Sequence, residues 1–215
     1  MRFERCADAY DDLAGIQRDC ARALVATLVP KGVGIDVGSG TGFVQANLNY
    51  ADLLQVDLSP AMLVHGQGAR VACDARRLPL PDACIDFAVS NMALQWIGDA
   101  SDLIRVMKPG ARLHACVVLD GSLPELAEAR DRAGLASAVQ LPNAAHWIHQ
   151  FPGAQIRIET RRCEFDSPVS ALRSVRGLGA TLETSMAVSR AQYRRLMSAL
   201  PTELTYQLAW IEWQK

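Results

Sequence analysis

The chain has 215 residues, half of them hydrophobic and about a fifth charged, with a net charge of −1. That length suits one α/β domain with a modest addition, and the balanced charge gives no global reason to expect nucleic acid or an anionic membrane as partner. No apolar run approaches the roughly 20 residues that span a bilayer, and the charged start "MRFERCADAYDD" lacks the apolar middle of a signal peptide, so a cytoplasmic protein is expected.

Leu13, Ile16, Cys20, Leu24 and Leu28 recur at helical spacing, and Pro30 follows as a stop, which predicts an amphipathic helix over 11–29. Gly34–Val37 reads as a strand running into a glycine-rich turn at 38–42, then a short helix at 43–48. Leu53–Leu58 is a second strand, with Ser59 and Pro60 placed to start the next helix. Val71–Cys73 and Ile85–Ser90 are the third and fourth strands. A helix near 100–107 ends at "KPG", and Arg112–Leu119 is a fifth strand. Strands alternating with helices imply a parallel sheet. After Asp120 come helices at 123–133 and 143–149, a strand near 155–164, helices near 168–178 and 189–199, and a last strand at 204–213. The helices over 168–199 are too long for a simple connection and are expected to lie, with the N-terminal helix, over the carboxyl edge of the sheet, where open α/β folds bind ligands. The expected organisation is one domain over 1–215, with a cofactor-binding core at about 30–120 and helical cover at about 1–28 and 166–200. The six cysteines, Cys6, Cys20, Cys73, Cys84, Cys116 and Cys163, include no C-x-x-C pair, so zinc is a poor reading. Reduced structural thiols are expected, and no metal.

The strongest local signal is "GIDVGSGTG", residues 34–42. Glycines after a strand and before a helix let the backbone approach a ligand closely. A dinucleotide turn spaces them G-x-G-x-x-G; here Gly38, Gly40 and Gly42 are spaced G-x-G-x-G, and Phe43 stands where a third dinucleotide glycine belongs. Asp36 repels a pyrophosphate but suits the cationic sulfonium and ammonium of S-adenosylmethionine. Asp57 ends the second strand, 19 positions after Gly38, where a carboxylate can accept both ribose hydroxyls. Asp74 ends the third strand and is placed to accept from an adenine amino group. Met62 is placed to pack on the adenine face, and Asn91 ends the fourth strand at the sulfonium end. Read singly, the same residues suit a tight structural turn, a helix-start aspartate and a core methionine.

In order and spacing, the glycine turn, the acid ending the second strand, "DARRLPLPD" and "KPG" resemble the class I methyltransferases over about residues 33–120. The resemblance implies a Rossmann-like α/β sheet, mostly parallel with an antiparallel last strand. It implies S-adenosylmethionine as cofactor (S-adenosylhomocysteine as product), held by Asp36, Gly38, Ser39, Gly40, Gly42, Asp57, Leu58, Met62, Asp74, Ala75 and Asn91.

Further segments, among them "FERCADAYDDLAGIQ", "SNMALQWIGD", "GSLPEL", "SALRSVRGLGAT" and "LTYQLAWIE", are similar to the malonyl-acyl-carrier-protein O-methyltransferase family of biotin synthesis. That similarity implies methyl esterification of the free carboxylate of a malonyl thioester on acyl carrier protein. A carboxylate is already a nucleophile at neutral pH, so no general base is required. None is evident among His65, His114, His146 and His149. Rate then comes from positioning, which can supply roughly 7–11 kcal/mol, in a dry pocket that favours charge neutralisation. An arginine fork matches a carboxylate. Arg173 and Arg176 are the candidate clamp, Tyr10 a second donor, and Gln95 and Trp96 candidate walls of the acceptor channel. Residues 157–195 hold eight arginines against four acids, a face expected to dock the acidic carrier. A methyltransferase of a free small carboxylic acid or other metabolite, and a non-catalytic methyltransferase-like binding protein, are the alternatives. Relative to the family, the link from Gly42 to Asp57 is short and the helix before "KPG" is trimmed.

Overall fold

The computed structural model of the chain describes residues 14–136, 140–177 and 188–215, with Arg176 and Gly177 described as backbone only. Helix α1 (Gly15–Ala26) buries Ile16, Cys20, Ala21 and Leu24 along one face, as their spacing requires. Strand β1 (Gly34–Val37) leads through the glycine turn to α2 (Phe43–Leu48) and β2 (Leu53–Asp57). A one-turn helix α3 (Pro60–Leu63), β3 (Arg70–Ala72) and β4 (Ile85–Asn91) follow. Next come α4 (Leu94–Ile97), α5 (Ser101–Val106) and β5 (Met107–Val118). The chain continues through α6 (Pro124–Arg132), α7 (Ala144–Gln150) and β6 (Gln155–Glu164). It closes with α8 (Pro168–Gly177), α9 (Arg190–Ala199) and β7 (Glu203–Gln214).

The seven strands lie in the order β3-β2-β1-β4-β5-β7-β6. The first five in that order are parallel, and β7 runs antiparallel to both β5 and β6. Direction of winding reverses between β1 and β4, which opens a crevice at their carboxyl ends. Each face of the sheet carries a core. One joins α1, α6, α8 and α9 to Phe87, Val89, Cys116, Val118 and Tyr206. The other packs α5 and α7 on Ile35, Val37, Ala88, Leu113 and Ala209. The segment between β6 and β7 leaves and re-enters the sheet where Glu164 pairs with Glu203, the same edge as the carboxyl ends of β1 and β4, as expected of the insertion.

Two readings need correction. The strand expected to begin at Arg112 begins at Met107, because Met107 pairs with Ile85 and Arg112 with Phe87, so "KPG" bulges out of an otherwise continuous strand. The turn α4, carrying Gln95 and Trp96, was not foreseen; four residues are too few for helical periodicity to register.

Candidate functional site

The three glycines of the turn all have positive φ, 70° at Gly38, 56° at Gly40 and 90° at Gly42, but they serve different ends. A Cβ on Gly38 would overlap the Ala93 methyl, so this glycine lets the turn pack against the start of α4. A Cβ on Gly42 would lie 2.9 Å from Gln55 Oε1 and 3.3 Å from Gly66 Cα, so this one closes the fold behind the turn. At Gly40 the nearest atom is Met62 Cε at 3.5 Å; Gly40 faces the crevice. Ser39 is buried with its Oγ unpartnered, and its N–H, like that of Gly38, donates to the Val56 carbonyl.

Asp57 organises the turn. Its Oδ2 accepts from Gly40 N–H at 2.9 Å and its Oδ1 from Ser59 N–H at 2.8 Å. Burial raises its pKa, opposed by N–H donors of Ser59, Gly40 and Leu58. Each oxygen keeps a lone pair for a second donor, so the carboxylate remains able to accept a sugar diol. Asp57→Ala is expected to weaken S-adenosylmethionine binding by about 1–3 kcal/mol, the worth of hydrogen bonds to a charged acceptor. Calorimetry with the folded variant checks this; an unchanged dissociation constant would deny Asp57 that role.

On the far side, Asp74 is held at about pKa 2 by the Arg76 guanidinium, whose Nη2 lies 2.6 Å from Asp74 Oδ2. Both residues line the crevice. The loop between them and β4 is pinned from α5: Arg105 donates to the carbonyls of Leu78 at 3.1 Å and Leu80 at 2.9 Å, and pairs with Asp82 at 2.6 Å and Asp102 at 2.7 Å. Sequence reading missed Arg76 and Arg105, since a surface arginine carries no local signal of the loop it ties.

Asp36 is fully buried, and neither carboxylate oxygen has a partner. Burial, then the nearby Asp57 charge, pushes its pKa up to about 8. Ile35 and Val37 pack in the core opposite α1, so Asp36 points to the α1 side of the sheet. A buried carboxyl without a partner is costly, and a cationic ligand would relieve that cost. The polar atoms left open here therefore fit S-adenosylmethionine, whose ammonium and sulfonium are both positive.

A cleft of about 330 Å³ runs between the glycine turn and Asp74, lined among others by Gly38, Gly40, Asp57, Leu58, Met62, Asp74, Ala75, Asn91 and Trp96. Of the sequence candidates, Asp36, Ser39 and Gly42 stand behind the cleft wall rather than on it. Gln95 does not line it either: it is buried, and its Nε2 donates to the Met92 carbonyl at 2.6 Å, so it braces α4. Arg173 is exposed on α8 opposite Ala171, Leu172 and Val175 and does not line the cleft. Tyr10 and the Arg176 side chain lie outside the described residues. No described histidine lines the cleft: His146 bonds the Gly98 carbonyl at 2.8 Å, and His114 is buried in β5 opposite Glu212.

The methyltransferase domain family matches residues 35–115. Over 97% of this chain and 93% of its own length, the malonyl-acyl-carrier-protein O-methyltransferase of Pseudescherichia vulneris is 33% identical. The enzyme of that name from Herminiimonas arsenicoxydans is 32% identical over 100% of this chain and 94% of its own. Among solved structures, the YcgJ protein from Bacillus subtilis superposes with a TM-score of 0.63 at 15% identity, over 95% of this chain and 98% of that one. A Thermotoga maritima S-adenosylmethionine-dependent methyltransferase, described as a possible histamine N-methyltransferase, gives 0.61 at 18% identity, over 99% and 98%.

Proposed function

The chain belongs to the malonyl-acyl-carrier-protein O-methyltransferase family, and from that premise we propose that it methylates the free carboxylate of malonyl-acyl-carrier protein, giving the ester that primes pimeloyl synthesis for biotin. The observation that carries this reading is the extent of the similarity, which runs over 97% of the chain and so past the cofactor half into the helices over the carboxyl edge. Bound S-adenosylmethionine supplies an electrophilic methyl group. Asp36 and Asp57 would hold its charged and ribose ends, Met62 and Ala75 would flank the base, and Trp96 would shield the reacting end from water. With a carboxylate acceptor no side chain has to take a proton, which agrees with a cleft that no described histidine enters. The chain's task is to hold an acceptor oxygen in line with the methyl. Arg176 and Tyr10 remain the proposed carboxylate donors; the exposure of Arg173 makes it the weaker half of the pair.

The carrier is proposed to dock on α9 and its surroundings. Arg190, Arg194 and Arg195 are exposed there, with Tyr193 between them, and none of the three pairs with a carboxylate among the described residues. Arg157 and Arg161, by contrast, both pair with Glu159 at 3.1 and 2.7 Å. A free basic face raises the rate of encounter with an acidic partner and makes it salt-sensitive. No described helix is long and apolar enough to cross a membrane, and five described cysteines are free, which supports a cytoplasmic setting.

The test is methyl transfer to malonyl-carrier protein with mass spectrometry of the product. The ester is expected to form, and equal efficiency on malonyl-coenzyme A would transfer the assignment to a small acceptor. Arg194→Glu is expected to raise the apparent KM for the carrier about tenfold, one rim charge reversed being worth roughly 1 kcal/mol or more, and to flatten its salt dependence. An unchanged KM at all salt concentrations would remove α9 as the docking surface.

A further inference from the structure

Gln17 lies outside the matched domain, which begins at residue 35; it closes the family-like segment "FERCADAYDDLAGIQ", where sequence reading assigned it no role. It sits on the buried face of α1, 3% exposed, and it lines the cleft. Its Oε1 and Nε2 both lack a hydrogen-bond partner. Its backbone carbonyl accepts from Asn91 Nδ2 at 2.8 Å, which ties this turn of α1 to the carboxyl end of β4. Asn91 Oδ1 and both oxygens of Asp36 are buried and unpartnered as well. Asp36 pairs in register with Val89, two residues before Asn91 on the same face of β4. Gln17 and Asn91 line the cleft and Asp36 lies behind its wall, so five open polar atoms belong to α1 and to the carboxyl ends of β1 and β4.

These atoms are not alike. Once a cationic ligand has displaced the Asp36 proton, both Asp36 oxygens, Asn91 Oδ1 and Gln17 Oε1 are acceptors, and Gln17 Nε2 is the one open side-chain donor of the group. An α-amino acid brings a cluster of N–H donors on its ammonium and a carboxylate that needs donors. Asp36 can serve only the ammonium, because a second carboxylate beside it would be repelled. We propose that Gln17 is the positioning residue for the amino-acid arm of the methyl donor, with Nε2 donating to its α-carboxylate and Oε1 turned, with Asn91 and Asp36, toward its ammonium. This rests on the reading of the cleft as an S-adenosylmethionine site. By fixing that arm from α1, Gln17 sets the direction in which the methyl group points, and it makes the N-terminal helix part of the cofactor site.

Two ligands separate the arm from the nucleoside: S-adenosylhomocysteine carries the amino-acid arm, and 5′-methylthioadenosine lacks it. Calorimetry on the full chain is expected to show Gln17→Met weakening S-adenosylhomocysteine about ten- to hundredfold, as for a lost bond to a charged group, with 5′-methylthioadenosine changed less than about twofold. Gln17→Glu is expected to weaken S-adenosylhomocysteine further, by repulsion of its carboxylate, again sparing the truncated ligand. The Tm of the ligand-free Gln17→Met protein should not fall, since an apolar chain replaces an unpartnered amide. Equal loss of both ligands, or unchanged S-adenosylhomocysteine binding, overturns the proposal. Failure of the unaltered protein to bind either ligand overturns the cofactor reading instead.

Discussion

Asp36→Asn is expected to lower S-adenosylmethionine affinity at least about a hundredfold, the order expected when a buried charge loses its partner, and yet to make the ligand-free protein more stable above pH 8. Asp36 is fully buried without a partner, and burial first, then Asp57, lifts its pKa to about 8. The folded chain therefore keeps a proton that the unfolded chain loses near the ordinary carboxyl range. Between those two values the folded state binds more protons, so stability falls as pH rises from about 4 to about 8 and levels off above. Asparagine cannot ionise and removes that slope. The gain at pH 9 is expected to be on the order of a few kcal/mol, or roughly 2–4 °C in Tm per kcal/mol for a domain of this size. Binding runs the other way. A cationic ligand needs Asp36 charged, so below pH 8 it must expel the proton, and affinity is expected to rise toward about tenfold per pH unit up to pH 8 and then flatten. Calorimetry at pH 7 in buffers of different protonation enthalpy should read about one proton released by the native chain and none by the variant. Affinity independent of pH between 6 and 9 would show that no charge on Asp36 meets the ligand.

Gly38→Ala is expected to destabilise the fold by roughly 2–5 kcal/mol, combining about 1–2 kcal/mol for a left-handed backbone with about 1–3 kcal/mol for overpacking. The new methyl would overlap that of Ala93, and both belong to backbone that cannot retreat: the Gly38 N–H is bonded to the Val56 carbonyl at 2.8 Å, and Ala93 is the N-cap of α4. Gly40→Ala is the informative control. Its φ of 56° carries the backbone cost, but its Cβ would meet only Met62 Cε at 3.5 Å. The fold should lose about 1–2 kcal/mol and the ligand should lose its close approach to the turn. Urea unfolding paired with S-adenosylhomocysteine binding reads both. If Gly40→Ala cost as much stability as Gly38→Ala and left binding intact, the division of labour among these glycines would be wrong.

The glycine turn and the acids at the strand ends that line the cleft were legible because their parts are consecutive along the chain. "GIDVGSGTG", "VDLSP" and "CDARRLP" each place an acid or a glycine at a strand end, and strand ends converge at one edge of a parallel sheet. The long strand periodicities and the amphipathic α1 were legible for the same local reason. What escaped was made by the closure of a single short turn or by contacts distant in sequence. Gln95 reads as a channel wall beside Trp96, but in the fold it turns back to the Met92 carbonyl. Arg173 reads as a clamp, but the buried face of α8 is that of Ala171, Leu172 and Val175, which leaves it in solvent.

By itself the sequence determined the fold class, the nature of the ligand's charge and the residues at each strand end, because periodicity, glycine spacing and the placement of acids are local properties. Only the tertiary structure decided that Asp36 is buried without a partner, that Arg105 anchors a loop some 25 residues away, and that Gln17 enters the cleft. Burial and pairing depend on which distant surfaces meet, and a glutamine on the apolar side of a helix acquires a meaning only once the sheet beneath it is in place.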